Sequence, residues 1–205
     1  MFDKQALRAL EARLAAAAAE ELMPRFLRVE VQDKQDGTLV TEADLEMQAR
    51  MQRELADAWP QFKLLGEEMS ADEQQALLVD SSEGLWVLDP LDGTSNFTAG
   101  IPFFGVSLAL IIRGQLHAGI VYDPVRRESF SALAGQGAWM NGTPLRVDAA
   151  VPTLKRSMAM VDLKRLPGPL VTALAQQSPY RSQRSFGSVA LDWCWLASNR
   201  STTFS

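Results

Sequence analysis

Trp86-Val87-Leu88-Asp89-Pro90-Leu91-Asp92-Gly93-Thr94-Ser95-Asn96-Phe97 opens as an apolar strand, begun at Leu85, and turns polar at Asp89. Pro90 has no N–H and fixes its own φ, so the sheet ladder is expected to end there. Gly93 admits a backbone conformation, or a close approach, that a side chain forbids. Asp89 and Asp92 stand three apart on one tight turn, and both carboxylates can face a single point. Two charges that close repel unless something positive lies between them. A divalent cation is the simplest answer, although a pair of acids on a Gly-containing turn is also a common solvated loop.

Working outward, further acids follow structural transitions. Glu67 and Glu68 come directly after a short strand at residues 62–65. Asp44 falls in the first turn of a helix that Thr41 opens, because Thr41-Glu42-Ala43-Asp44 has the form of a capping box. Taken singly, Asp44 is an ordinary acid at a helix N-terminus, Asn96 stabilises a turn, and Trp86, Phe103 and Phe104 are core. Together the acids offer only oxygen ligands, which selects magnesium, manganese or calcium over zinc or copper. No calcium loop of EF-hand spacing is present. Magnesium completes its shell with water and substrate phosphate, so the ligand expected is phosphorylated. Gly93, Thr94 and Ser95 begin a helical turn whose free N–H groups suit a phosphate oxygen. The Thr94 hydroxyl is placed to hold a water. Activation of that water by metal then gives in-line hydrolysis without a covalent intermediate.

Composition narrows the alternatives. The chain has 205 residues, 47% hydrophobic and 22% charged, with net charge −5. It suits one domain over 1–205 and needs no cross-links to bury a core. With that charge and no long basic run, nucleic acid is not the expected main partner. The single cysteine, Cys194, reads as a small core residue in an apolar run, and the single histidine, His117, lies in a strand. Zinc chemistry and disulfides are therefore not expected. No apolar leader or membrane-length run occurs, so a soluble cytoplasmic protein is the default.

Apolar spacing predicts a helix over residues 3–28, kinked or ended near Pro24, and a second from Thr41 to a stop at Pro60. Strands are expected at 85–88, 103–113 and 116–122, with a hairpin turn at Gly114-Gln115. A meander follows through 129–133, 137–140 and 145–147, turning at Asn141-Gly142. Then come a strand at 157–161, a helix at 169–177, a strand at 181–186 and a buried helix at 188–197. The class is mixed α/β (α+β), in stacked layers.

Thr38-Leu39-Val40-Thr41-Glu42-Ala43-Asp44, Gly66-Glu67-Glu68, the opening stretch and Pro102-Phe103-Phe104-Gly105-Val106-Ser107 together resemble the inositol monophosphatase family. Gly135-Gln136-Gly137-Ala138-Trp139-Met140-Asn141-Gly142 and Gly187-Ser188-Val189-Ala190-Leu191-Asp192 extend the likeness over nearly the whole chain. The resemblance implies a layered αβαβα sugar-phosphatase fold and a magnesium-dependent, lithium-sensitive phosphatase, with manganese as an alternative ion. It implies that Glu67, Asp89 and the Leu91 carbonyl hold one metal and that Asp89 and Asp92 share a second. Thr94 with Glu67 would orient the attacking water, with Asp44 in an outer shell or at a third ion, near which Lys34 lies. The Gly93 and Thr94 amides would bind phosphate, and Gly187, Ser188 and Val189 would line the alcohol side.

Inositol 1-phosphate or a related polyol phosphate is the implied substrate, with fructose 1,6-bisphosphate or adenosine 3′,5′-bisphosphate as alternatives, and a homodimer is the implied assembly. The family continues past the last helix into a Trp-Asp motif whose acid ligates the second metal, whereas this sequence ends at Ser205. The expectation is a chain truncated relative to the family, with little or no turnover, as a phosphate- and metal-binding alternative to the enzyme.

Overall fold

Leu7, Leu10, Leu14, Ala17, Ala18 and Leu22 recur every three or four residues, and all are 1% exposed or less. This stripe forms the inner face of the first helix in the computed structural model, which describes residues 2–28, 31–33, 39–79, 83–147 and 153–200. Helix α1 (Lys4–Ala17) begins at Asp3, whose carboxylate accepts from the Ala6 N–H at 2.9 Å. It widens into a π-helical turn, Ala18–Leu22, and stops before Pro24. Of the kink or end expected near Pro24, the helix takes the end. Pro24 cannot donate into the ladder, and the chain leaves through turns instead.

The remaining elements follow in order: β1 (Val31–Asp33), β2 (Leu39–Thr41), α2 (Glu42–Ala58), β3 (Lys63–Gly66), α3 (Ala71–Val79), β4 (Leu85–Asp92) and α4 (Thr94–Thr98). Then come β5 (Gly105–Ile112), β6 (Gln115–Asp123), β7 (Glu128–Leu133), β8 (Gly137–Met140) and β9 (Thr143–Pro144). The last are β10 (Met158–Met160), α5 (Gly168–Gln176), β11 (Ser182–Arg184) and α6 (Val189–Ala197). Residues 34–38, Lys34 included, lie outside the described residues, as do residues 201–205.

The main sheet has seven strands in the order β3-β4-β5-β6-β7-β8-β9. Only β3 and β4 run parallel; the rest is an antiparallel meander. Strand alternation sends Leu108, Leu110 and Ile120 to the face covered by α1 and α2. Ser107, Gly119 and Val121 go to the other face, under α6. Beyond α6, β10 and β11 form a small parallel sheet. Helix, sheet, helix and second sheet are thus stacked, as the mixed α/β reading requires. Arg50 of α2 reaches Glu20 in the π-helical turn after α1 at 2.9 Å, and Arg13 of α1 reaches across to Glu54 of α2. Among the described residues no helix is long and apolar enough to cross a membrane.

Three expectations are corrected. Strand β4 continues past Pro90 to Asp92, because the ladder skips there: Asp89 pairs with Ser107 and Asp92 with Gly105. The missing N–H of Pro90 falls inside that bulge, where the ladder asks for no donor. The first hairpin turns at Arg113-Gly114, both at positive φ (50° and 73°), one residue earlier than expected. Helix α6 is not buried all round: Leu191 is, whereas Trp193 is 67% exposed.

Since Leu14 is completely enclosed between helix and sheet, Leu14→Ala is expected to cost about 2–5 kcal/mol. A lower urea midpoint with unchanged slope checks it.

Candidate active site

The site is assembled where β4 ends. Gly93, at φ +100°, lets the chain leave the strand and enter α4. A Cβ there would sit 3.2 Å from the Phe103 carbonyl and 3.3 Å from that of Gly187, so the turn is closely walled. Asp89 accepts the Leu91 N–H on Oδ1 at 3.1 Å, which bends the backbone and fixes one carboxylate oxygen. The Leu91 side chain is buried, and its carbonyl accepts the Thr94 hydroxyl at 3.0 Å.

Glu67 arrives from β3. Because β3 is parallel to β4, both strands end on the same side, and the Glu67 N–H bonds the Leu88 carbonyl at 3.0 Å. Gly66 beside it is pressed by Gln48 of α2, whose amide oxygen also receives the Glu68 N–H at 3.0 Å. The Glu67 and Asp89 carboxyl groups share a hydrogen bond. Burial first, then the nearby charges of Glu67 and Asp92, push the Asp89 carboxyl up to about 8.

Asp44 reaches the site from the first turn of α2. It is 2% exposed. Its Oδ2 accepts from the Thr41 N–H at 2.8 Å and the Thr41 hydroxyl at 2.6 Å, which completes the capping box read from the sequence. Its Oδ1 lies 3.2 Å from the Thr94 hydroxyl. Burial raises the Asp44 carboxyl, and the bonds from Thr41 and Thr94 oppose that. Both neighbours of the Thr94 hydroxyl, Asp44 Oδ1 and the Leu91 carbonyl, are acceptors, so its proton is committed to them. Its lone pairs can accept from a water.

Asp92 turns the other way. Its Oδ2 accepts from the Ser188 hydroxyl and the Ala190 N–H, each at 2.7 Å. Asp92 therefore sits at the positive end of α6, where an anion is stabilised. Ser188 is wholly buried and caps α6, its oxygen lying 3.4 Å from the Leu191 N–H. Its hydroxyl is thus committed to Asp92. Gly187, at φ +85°, borders the Gly93 turn. Val189 instead lines an apolar cavity of 640 Å³ with Met158, Leu170 and Trp193.

The structure thus brings Glu67, Asp89, Leu91, Asp92, Gly93, Thr94 and Asp44 to one end of the sheet, with Gly187 and Ser188 alongside. Two contributors had no local signal. Asn96 ties segments 90 residues apart, and Asp192 lies near enough to Asp92 for that charge, after burial, to help push its carboxyl to about 6. Cys194 is half-buried, and burial followed by Asp92 pushes its thiol up to about 12, so it is no nucleophile at neutral pH.

Among the described residues no three His, Cys, Asp or Glu side chains are already closed into a coordination shell. The chemistry of the donors nevertheless fits a hard divalent cation. Every candidate ligand is an oxygen, and the half-buried Asp89 keeps a proton that a cation would replace.

Known proteins resemble this chain in sequence and fold. A protein of Haemophilus influenzae named Nus factor SuhB is 34% identical over 165 residues, 78% of this chain and 60% of that protein. An inositol monophosphatase of Mesembryanthemum crystallinum is 36% identical over 200 residues, 91% of this chain and 71% of that one. The crystal structure of the suppressor protein suhB from Bartonella henselae superimposes with a TM-score of 0.81 at 31% identity. That superposition covers 96% of this chain and 76% of the other. The chain spans 60% and 62% of the length of the Haemophilus protein and a second SuhB from Pasteurella multocida. A family model described as the inositol monophosphatase family matches residues 3–204, and the chain belongs to that family.

Proposed function

We propose that this chain carries the catalytic half-site of a metal-dependent phosphomonoesterase acting on inositol 1-phosphate or a related polyol or sugar phosphate. One observation carries the reading: a half-buried carboxyl, Asp89, is crowded by Glu67 and Asp92, beside a hydroxyl whose proton is already committed. In this reading Glu67, Asp89 and the Leu91 carbonyl would hold one magnesium or manganese ion, and Asp89 and Asp92 would hold a second. When bound, the ions supply Lewis-acid polarisation of the attacking water and of the ester oxygen.

The chain's own groups do the rest. Thr94 accepts a hydrogen bond from the water and aims its oxygen, Glu67 takes the one proton the water loses as it attacks phosphorus, and Asp44 fixes the Thr94 rotamer. The Gly93 and Thr94 amides carry the phosphate oxygens. Asp92, steadied by Ser188 and Ala190, faces the leaving alcohol together with Gly187. The names of the relatives divide between inositol monophosphatase and Nus factor SuhB at similar identity, so the alcohol half of the substrate rests on the resemblance alone. A homodimer is part of the same reading.

The test is phosphate release from inositol 1-phosphate, fructose 1,6-bisphosphate and adenosine 3′,5′-bisphosphate. Magnesium-dependent, lithium-inhibited release is expected, falling about 100-fold or more in Asp92→Asn. Release that ignores metal, or full activity in that variant, overturns the proposal. A second reading, weaker metal and phosphate binding with little turnover, is favoured because among the described residues no three acids are placed to hold one ion together. Its mark is a magnesium- and phosphate-dependent rise in melting temperature without hydrolysis.

A further inference from the structure

Asn96 is 9% exposed, and its side-chain nitrogen lies 2.7 Å from the Phe103 carbonyl and 2.6 Å from the Phe186 carbonyl. A primary amide has two N–H groups. Both are used, each on a carbonyl from a different segment, one of them 90 residues away. The fit around the amide is tight. A Cβ on Gly187 would lie 2.9 Å from the Asn96 nitrogen and 3.0 Å from its oxygen. One residue further on, Ser188, and then Ala190, supply the two bonds to Asp92 Oδ2. The path from Asn96 to the Asp92 carboxylate therefore runs through three consecutive residues and one helix start.

We propose that Asn96 is a positioning residue for Asp92. By tying the Phe186 and Phe103 carbonyls together it sets where α6 begins, and through Ser188 and Ala190 it decides which oxygen Asp92 presents to a cation. This goes beyond a turn-stabilising role and rests on the metal-dependent reading above. A merely structural asparagine would change stability and leave the cation affinity of the folded protein alone.

Mn2+ is the probe, with free ion counted by electron paramagnetic resonance for the unsubstituted chain, Asn96→Ala, Asn96→Asp, Ser188→Ala and the double variant Asn96→Ala/Ser188→Ala. Thermal melts report how much of each is folded. The unsubstituted chain is expected to bind Mn2+, and each Asn96 variant to bind it at least tenfold more weakly. Ser188→Ala is expected to move in the same direction. The double variant should be no weaker than the weaker single, since the two changes act along one path. Unaltered Mn2+ affinity in folded Asn96→Ala overturns the proposal, and additive losses in the double variant overturn the route through Ser188.

If Asn96→Ala does not fold, Gly187→Ala stands in for it, because its added Cβ displaces the Asn96 amide. An unaltered affinity there is equally decisive against the proposal. Absence of Mn2+ binding by the unsubstituted chain overturns the phosphatase reading and this proposal with it. Binding that is retained in every variant overturns this proposal alone.

Discussion

Asp89→Asn is expected to make the metal-free protein more stable while abolishing its response to magnesium. The two effects have one cause. Asp89 is forced to keep a proton to about pH 8 by burial and by Glu67 and Asp92, so its charge is unwelcome in the folded chain. An asparagine has the same shape, keeps an acceptor for the Leu91 N–H, and never ionises. Above neutral pH the variant should melt a few degrees higher than its parent in chelator. The carboxylate shared by both proposed ion sites is lost, so magnesium affinity should fall on the order of 100-fold or more. Paired thermal melts with chelator and with millimolar magnesium read both effects. A variant that still gains stability at the parent's magnesium concentrations would place the ion elsewhere.

The pH dependence of the metal-free chain should run opposite to ordinary acid denaturation. A carboxyl raised in the folded state keeps a proton that the unfolded chain has released. Stability is therefore lost as pH rises from the ordinary aspartate value of 3.8 towards about 8, and is level above that. For Asp89 this amounts to a few kcal/mol, on the order of half the margin of a typical domain. Asp192, raised to about 6, adds in the same direction over the lower part of the window. Glu54, lowered by hydrogen bonding to Arg13 and then Arg50, acts oppositely and only below its ordinary 4.5. Melting temperature in chelator should thus be highest at or below about pH 4.5 and decline to pH 8. Saturating magnesium should flatten the decline, because a bound cation replaces the proton. A profile in chelator that is flat from pH 5 to 8 would rule out a buried, mutually repelling acid cluster.

What was legible in the sequence depended on separation along the chain. Thr41 and Asp44 are three residues apart, and their reciprocal capping was readable from residue types alone. The Asn141-Gly142 turn was too, since both residues take positive φ and few others tolerate it. Asp89 and Asp92 announced a repelling pair by spacing, and the family resemblance named the partners Glu67 and Thr94. Pro90 misled because a proline usually ends a central strand, yet a bulge can absorb it. Trp193 misled because an apolar residue in an apolar helix looks buried, and only tertiary structure shows which face stays open. The attachments that complete the site carried no local signal. Asn96 to Phe186 spans 90 residues, Asp92 to Ser188 spans 96, and Thr94 to Asp44 spans 50.

Those spans have a kinetic consequence. The meander from β4 to β9 is made of neighbouring hairpins and closes only short loops, whereas the site is joined by bonds that close long ones. Short loops close first, because the entropy lost on closure grows with length. The sheet is therefore expected to precede the site in the order of assembly, with the bonds joining Asp92 to α6 and Thr94 to α2 formed after the folding barrier. Contacts made after the barrier slow unfolding and leave the folding rate almost unchanged. A cation held by the proposed site would therefore act chiefly as a brake on the chain's escape from the native state.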